Sequence, residues 1–469
     1  MATAGFAETH VLSSGSPYKA ILRLALPTVI AMLSQSVVNE VDVVFFSYLK
    51  APESSNAQAA LLPALILVWL FGGTPSAVSV GTQALVARRY AEGKFDEAGK
   101  VLANSAWFTL MAGAVLTVLG LVLLPVMVHA TTAVPGKADI MLSYSRWRMF
   151  GVISMSMTMA IKGFFDGLGR THIHLISAIV MNAFNILLCW MFIFGHLGAP
   201  AMGAPGAGLA AFIATWIGLG IMMLFAGSVR AEFAFMKWAN LSRKLTWDIL
   251  KLSIPAALAT VTMMVGFFFF AKSADRLDGI ALETQGIGEA VNSAATTDIV
   301  EILKLTFTAC IGFGTATATL VGQSLGAKKP EEAQRYGWAS VRLGLLLFGF
   351  IGLCEGVLFT PQIVAFISHS PAVRAAALVP MRIMGVVTPL LAVAMILSEA
   401  LFGAGNPKFV AVAQFVLVFG VLVPGSYVLG IFCHLGLLGI WSAACLYGVL
   451  ASVTMSLKFR QGTWKSIKL

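Results

Sequence analysis

Long stretches almost free of charge recur along this 469-residue chain from residue 18 to residue 457. A helix crosses the hydrocarbon core of a bilayer, roughly 30 Å thick, with about 20 mostly apolar residues at about 1.5 Å each. Only 11% of the residues are charged and the mean hydropathy is +0.87, whereas a soluble protein carries about 25% charged residues. The chain is therefore an integral membrane protein and not a soluble globule with a large core.

The apolar runs and their punctuation predict twelve spans. Six lie near residues 18–48, 60–87, 101–130, 140–165, 173–195 and 205–229, and six near 248–272, 291–325, 336–367, 373–402, 408–432 and 436–457. Residues 1–17 and 458–469 are polar tails, and 230–247 is the longest polar connector. The N-terminal tail lacks the charged-then-apolar pattern of a cleavable signal, so the first span is expected to direct insertion.

Basic residues set the orientation. With this layout 22 of the 31 Lys and Arg fall on the side of the tails and 9 on the other. Such an excess marks the cytoplasmic face, which puts both termini and the 230–247 connector inside. The surplus also accounts for the net charge of +10 without a nucleic-acid partner. All five cysteines (Cys189, Cys310, Cys354, Cys433, Cys445) fall in or beside apolar segments without metal-type spacing, and read as small buried hydrophobes.

The chain also repeats itself. Ile21-Leu-Arg-Leu-Ala-Leu-Pro27 returns as Ile249-Leu-Lys-Leu-Ser-Ile-Pro255, and Lys94-Phe-Asp-Glu-Ala98 as Lys329-Pro-Glu-Glu-Ala333. Gly167-Leu-Gly169 returns as Gly403-Ala-Gly405, and His196-Leu-Gly198 as His434-Leu-Gly436. The matches keep their order at a displacement of about half the chain, the signature of an internal duplication. Six spans per copy is an even number, so both copies enter the bilayer from one side as parallel repeats. The expected fold is all-α: a polytopic membrane protein with twelve transmembrane helices in two six-helix bundles, an N-lobe at 18–229 and a C-lobe at 248–457.

These residues resemble the multidrug and toxic compound extrusion (MATE) transporters over nearly the whole chain. Leu24-Ala-Leu-Pro27 with Val41-Asp42 is similar to that family's first span, and Gly81-Thr-Gln-Ala-Leu-Val-Ala-Arg-Arg-Tyr90 to the end of its second. Gly167-Leu-Gly-Arg-Thr171, Asn182-x-x-Asn185 and Ile193-Phe-Gly195 resemble its fourth and fifth spans, and Thr319-Leu-Val-Gly-Gln-Ser-Leu-Gly326 the exit of its eighth. The resemblance implies export of organic, often cationic or amphipathic compounds, driven by inward flow of H⁺ or Na⁺.

Carboxylates inside the bilayer are costly and usually face a cavity, a partner or an ion path. The candidates are Glu40, Asp42, Glu301, Glu355 and Glu399, with Asp166 and Asp298 nearer span ends. Gln35, Asn39 and Asp42, spaced four and three apart, share one helix face, and Asn182 and Asn185 stand ready to meet it from span five. Burial makes Asp42 a candidate to gain and lose a proton, and Pro27 allows span one to bend in response. In the family's pattern an Asp commonly follows Asn185-Ile-Leu-Leu; here Cys189 stands there. A Na⁺ site wants several hard oxygen ligands, so this departure favours H⁺. Glu40 lies about 160° from Asp42 around the helix and is not expected to replace the missing charge.

The second half carries its own polar set. The resemblance places Glu399 where one branch of the family is acidic, while Met263 stands where that branch has Glu in span seven. Glu301 and Lys304, three apart, are expected to pair, either as a buried structural pair or in transport. Met263, Met264 and Phe267 are candidate walls of a substrate cavity, since thioethers and aromatic faces suit amphipathic cations. The expected function is a secondary antiporter working by alternating access of the two lobes, with a small molecule, the coupling cation and lipid as partners and no cofactor. A lipid or lipid-linked precursor flippase is the alternative; no catalytic motif supports an enzyme. The bacterial inner membrane is the expected location.

Overall fold

A computed structural model describes residues 15–50, 53–132, 135–235, 240–285, 290–368 and 370–469. Among them the chain is helical and forms no strand. The first half comprises α1 (Pro17–Ser47), α2 (Glu53–Ser76), α3 (Val78–Ala91), α4 (Phe95–Thr131), α5 (Pro135–Phe150), α6 (Val152–Gly167), α7 (His172–Phe194) and α8 (Ala204–Ser228), followed by the single turn α9 (Arg230–Phe233). The second half comprises α10 (Arg243–Gln285), α11 (Val291–Gly326), α12 (Pro330–Leu353), α13 (Thr360–Ile367), α14 (Pro371–Gly403), α15 (Pro407–Leu417), α16 (Val423–Tyr427) and α17 (Gly436–Gln461).

Eleven helices among the described residues are long and apolar enough to cross a membrane. The expected span at 140–165 is the exception, because it consists of α5 and α6 broken at Gly151. The span at 60–87 is likewise divided at Ala77, just beyond Pro75. The seventh span outruns its expected end at 272, since α10 continues to Gln285. The expected span at 336–367 passes from α12 through a π-turn at Cys354–Leu358 into α13, and the 408–432 span contains two further π-turns.

The duplication is visible in matched contacts. Thr82 and Ser105 join their hydroxyls at 2.7 Å between α3 and α4. The Thr317 hydroxyl donates to Ser340 at 2.9 Å between α11 and α12. Gly169 and Gly405, equivalent in the repeat, have φ of 76° and 83°, a left-handed turn that glycine adopts without steric cost. Each repeat also opens a helix with two acids in its first turn, Asp96 and Glu97 on α4, Glu331 and Glu332 on α12, where they favour the positive helix end.

The compact units cut the chain elsewhere than the expected lobe boundaries. One unit comprises Met1–Val29 with Pro255–Leu469, the other Ile30–Ile254. Both cuts fall within a helix at the repeated proline, just past Pro27 in α1 and at Pro255 in α10. Proline removes a backbone hydrogen bond and lets the two parts of a helix follow different neighbours. In the first unit Ile21, Leu24 and Ala25 are buried in one core with Cys310, Phe313 and Ala316 of α11. In the second, Leu245, Ile249 and Leu252 of α10 are buried with Val78, Leu85 and Ile161. The connector is pinned there too: Asn104 Oδ1 accepts from Ser242 N at 2.8 Å and from the Thr246 hydroxyl at 3.1 Å, and its Nδ2 donates to Asn240 O at 2.9 Å.

Candidate functional site

Asp42 is enclosed by three helices of the Ile30–Ile254 unit. It is 3% exposed, and residue 189 on α7, 0% exposed, meets it directly. The Cys189 thiol donates to Asp42 Oδ1 at 3.4 Å and to Asn185 Oδ1 at 3.6 Å. Two turns back along both helices, Asn182 Nδ2 donates to Ser34 Oγ at 2.9 Å. These rungs have the spacing of two helices running in the same direction, as spans one and five must. The Oδ1 of Asn182 is buried with no hydrogen-bond partner, an acceptor of the kind that an ion or a water satisfies.

The third wall is α5. Tyr144 is buried and its ring meets Phe46, one turn beyond Asp42, edge-on at 6.4 Å. Arg148 Nη1 donates to the Tyr144 hydroxyl at 3.0 Å, with its guanidinium also over that ring at 5.6 Å. Its positive charge acts on both Asp42 and Cys189. Arg148 is one of the nine basic residues counted on the outer side, and a count by side gives no sign of this role. A Tyr–Arg pair four residues apart at the edge of an apolar span was the available signal, since that spacing stacks the two side chains on one helix face.

The other predicted residues are distributed as follows. Gln35 is exposed although it shares the Asp42 face, and Glu40 is exposed on α1. The side chain of Asn39 lies outside the described residues. Pro27 lies inside α1, which stays helical through it. In the other unit, Glu301 and Lys304 pair with each other, but with side chains 42% and 39% exposed they are not the buried pair considered from sequence. Glu399 packs on Gly314 of α11, where an added Cβ would lie 2.7 Å from its Cγ. Residue 314 is on the order of 20 Å along α11 from residue 301 at 1.5 Å per residue, so Glu399 and the Glu301–Lys304 pair do not form one site. Asp166 is held by Lys162 Nζ at 2.6 Å as a buried pin at the end of α6.

Met263 and Phe267 line a small apolar cavity of the unit that contains Pro255–Leu469, together with Phe270, Met384, Trp441 and Tyr447. Met264, their neighbour, turns away and is 54% exposed. The Tyr447 hydroxyl donates to Gln414 Oε1 at 2.7 Å, and the Trp441 ring meets Phe270 edge-on at 5.1 Å. The indole N–H of Trp441 is buried without a partner. The cavity has room for only about 30 Å³, the space of one water-sized group and far below the several hundred Å³ that a drug-sized molecule fills, so its side chains pack mainly on one another.

Among the described residues no cluster of His, Cys, Asp and Glu has a metal-binding arrangement. The sequence profile of the MatE family matches residues 27–191 and 289–428. A relative described as a probable multidrug resistance protein NorM, from Thermotoga maritima, is 24% identical over 95% of this chain and 93% of its own. The multidrug resistance protein PmpM of Pseudomonas aeruginosa is 27% identical over 76% of this chain and 72% of its own. Among solved structures, a MATE protein in its straight conformation superposes with a TM-score of 0.85 at 20% identity, covering 95% of this chain and 96% of that one. An outward-facing multidrug resistance MATE transporter superposes with a TM-score of 0.84 at 22% identity over the same shares.

Proposed function

The chain belongs to the MatE family, and on that premise we propose that it is a secondary antiporter that exports organic, cationic or amphipathic compounds in exchange for H⁺. The observation that carries this reading is the enclosure of Asp42 by a thiol, an aromatic ring and a nearby guanidinium. A buried carboxylate in a membrane protein is expensive to maintain without a task. Here its partner at residue 189 is a soft thiol, whereas a hard cation such as Na⁺ is best held by several oxygens. Arg148 already offsets the negative charge, which further weakens any hold on Na⁺. A proton needs neither additional ligands nor removal of the guanidinium.

Protonation of Asp42 leaves the Arg148 charge unbalanced and changes the Cys189 hydrogen bond, so the two protonation states favour different packings of α1, α5 and α7. This is the differential interaction that a coupling ion must have to drive alternating access. Multidrug relatives support the substrate class. The chain is a multi-pass membrane protein; its bacterial relatives support placement in a bacterial inner membrane, and its basic-residue bias supports cytoplasmic termini.

The direct test is Asp42→Asn, which keeps the shape and removes the titration. Cells expressing it at the wild-type level should retain a fluorescent organic cation and lose resistance to toxic ones. Unchanged efflux in the variant removes Asp42 from the mechanism.

A further inference from the structure

α12 does not end as a regular helix. Cys354–Leu358 widens into a π-turn, a rare geometry found disproportionately at functional positions. Glycines let this segment press against α14: a Cβ on Gly352 would lie 2.2 Å from Gly385 O, and one on Gly356 2.7 Å from Gly385 Cα. Within the widened turn Glu355 faces α11. The Thr306 hydroxyl meets Glu355 Oε1 at 2.7 Å, while Oε2 is buried without a hydrogen-bond partner. Cys310, one turn from Thr306 and 1% exposed, is within electrostatic reach of the carboxyl.

The other ionisable groups near the turn pair with other residues or form no hydrogen bond or ion pair with Glu355 among the described residues. On α11, Glu301 and Lys304 pair with each other and Asp298 lies beside Ser368. On α14, Arg374 Nε donates to Ser368 O at 2.7 Å and Arg382 is exposed. On α12 itself Cys354 is half-buried and Arg342 exposed, and α13 carries no ionisable side chain. Among the described residues no ion pair includes Glu355.

Among the described residues an ionised carboxylate in this place has no counter-charge, and one of its oxygens has no donor, a costly state in an apolar interior. The neutral acid removes the first defect and lessens the second: its Oε1–H donates to Thr306 Oγ1, and an uncharged carbonyl Oε2 costs less to bury without a donor than a carboxylate oxygen does. We propose that Glu355 is a proton-binding site of the second half, separate from Asp42. Release of the proton leaves a bare charge in the π-turn, so it is tied to water entering the turn. The site stands whether or not Asp42 couples transport.

The test uses the full-length protein in lipid nanodiscs and infrared difference spectra recorded across a pH titration in H₂O and D₂O. A carboxylic C=O band that shifts in D₂O is expected, lost in Glu355→Gln and retained in Asp42→Asn. A Glu355→Gln spectrum that superposes on the wild type at every pH overturns the proposal. Should that variant fail to fold, the near-isosteric Thr306→Val serves: the band is expected to move when its hydrogen bond is lost, and a stationary band overturns the assignment. Because the readout is spectroscopic, its failure is distinct from a failure of Asp42→Asn to impair efflux.

Discussion

Replacing Cys189 with aspartate tests the Asp42 cluster where its geometry is most specific. In the wild type a neutral thiol stands 3.4 Å from Asp42 Oδ1. Cys189→Asp puts a second carboxylate there, and two unit charges 4 Å apart repel by about 4 kcal/mol at an effective dielectric constant of about 20. Arg148 already offsets Asp42, so the altered pocket carries a net negative charge and recruits a cation. At low pH that cation is a proton shared by the two acids. At higher pH Na⁺ takes its place, held by two carboxylates with the amide oxygens of Asn182 and Asn185. An ion present at a hundred times its dissociation constant stabilises the folded state by about 2.7 kcal/mol. The assay is thermal unfolding in Na⁺ against choline at equal ionic strength, for wild type, Cys189→Ser and Cys189→Asp. Wild type and the serine variant should melt independently of Na⁺. The aspartate variant should gain stability with Na⁺ at alkaline pH, and the gain should fade as protons compete. If Cys189→Asp responds to Na⁺ and pH just as the wild type does, residue 189 does not face Asp42 and the reasoning fails.

Two further substitutions probe the packing that holds these sites. Gly385→Ala places a Cβ 2.4 Å from Gly356 Cα and 2.7 Å from Gly352 O, so backbone must move; overpacking of this kind costs about 1–3 kcal/mol, and the melting temperature should fall. Gly349→Ala, whose new Cβ would approach no closer than 4.0 Å to Pro389, is the control that should melt like the wild type; equal melting of both variants refutes the close contact. Asn104→Ala strips the acceptor from Ser242 N and Thr246 Oγ1, at about 0.5–1.5 kcal/mol for each hydrogen bond lost by a part-exposed group. Limited proteolysis should then cut the 230–247 connector faster, and an unchanged rate contradicts the anchoring role.

Much of the architecture was legible because membrane insertion leaves few alternatives. Apolar runs of the right length marked the spans, and the repeated Gly167-Leu-Gly169 and Gly403-Ala-Gly405 marked equivalent turns that both proved left-handed at their second glycine. Helix breaks were less visible. The break at Gly151 involves no proline, and neither does the π-turn at Cys354–Leu358, which goes with a close approach to α14 that only the folded partner reveals. The lobe boundaries moved for a related reason: polarity pointed to the 230–247 connector, whereas the packing changes partners at Pro27 and Pro255, inside apolar helices.

The functional residues divide similarly. Glu40 is exposed while Asp42 is buried, and of the Asn182–Asn185 pair it is Asn182 that bonds to span one, through Ser34. Spacing grouped Gln35 with Asp42, yet one is exposed and the other buried, because a helix face seven residues long does not keep the same neighbours throughout. Cys189 was noticed for the charge it lacks, while the structure shows it as the group that bonds to Asp42. Arg148 was hidden by its place near a span end, where a basic residue ordinarily signals topology.

Coupling to protons through Asp42 is the central claim, and efflux from proteoliposomes under separately imposed gradients tests it most directly. With purified protein and a fluorescent organic cation inside, an inward pH gradient alone should drive efflux, and the Asp42→Asn protein should not respond. Efflux driven by a Na⁺ gradient and indifferent to the pH gradient would contradict the account.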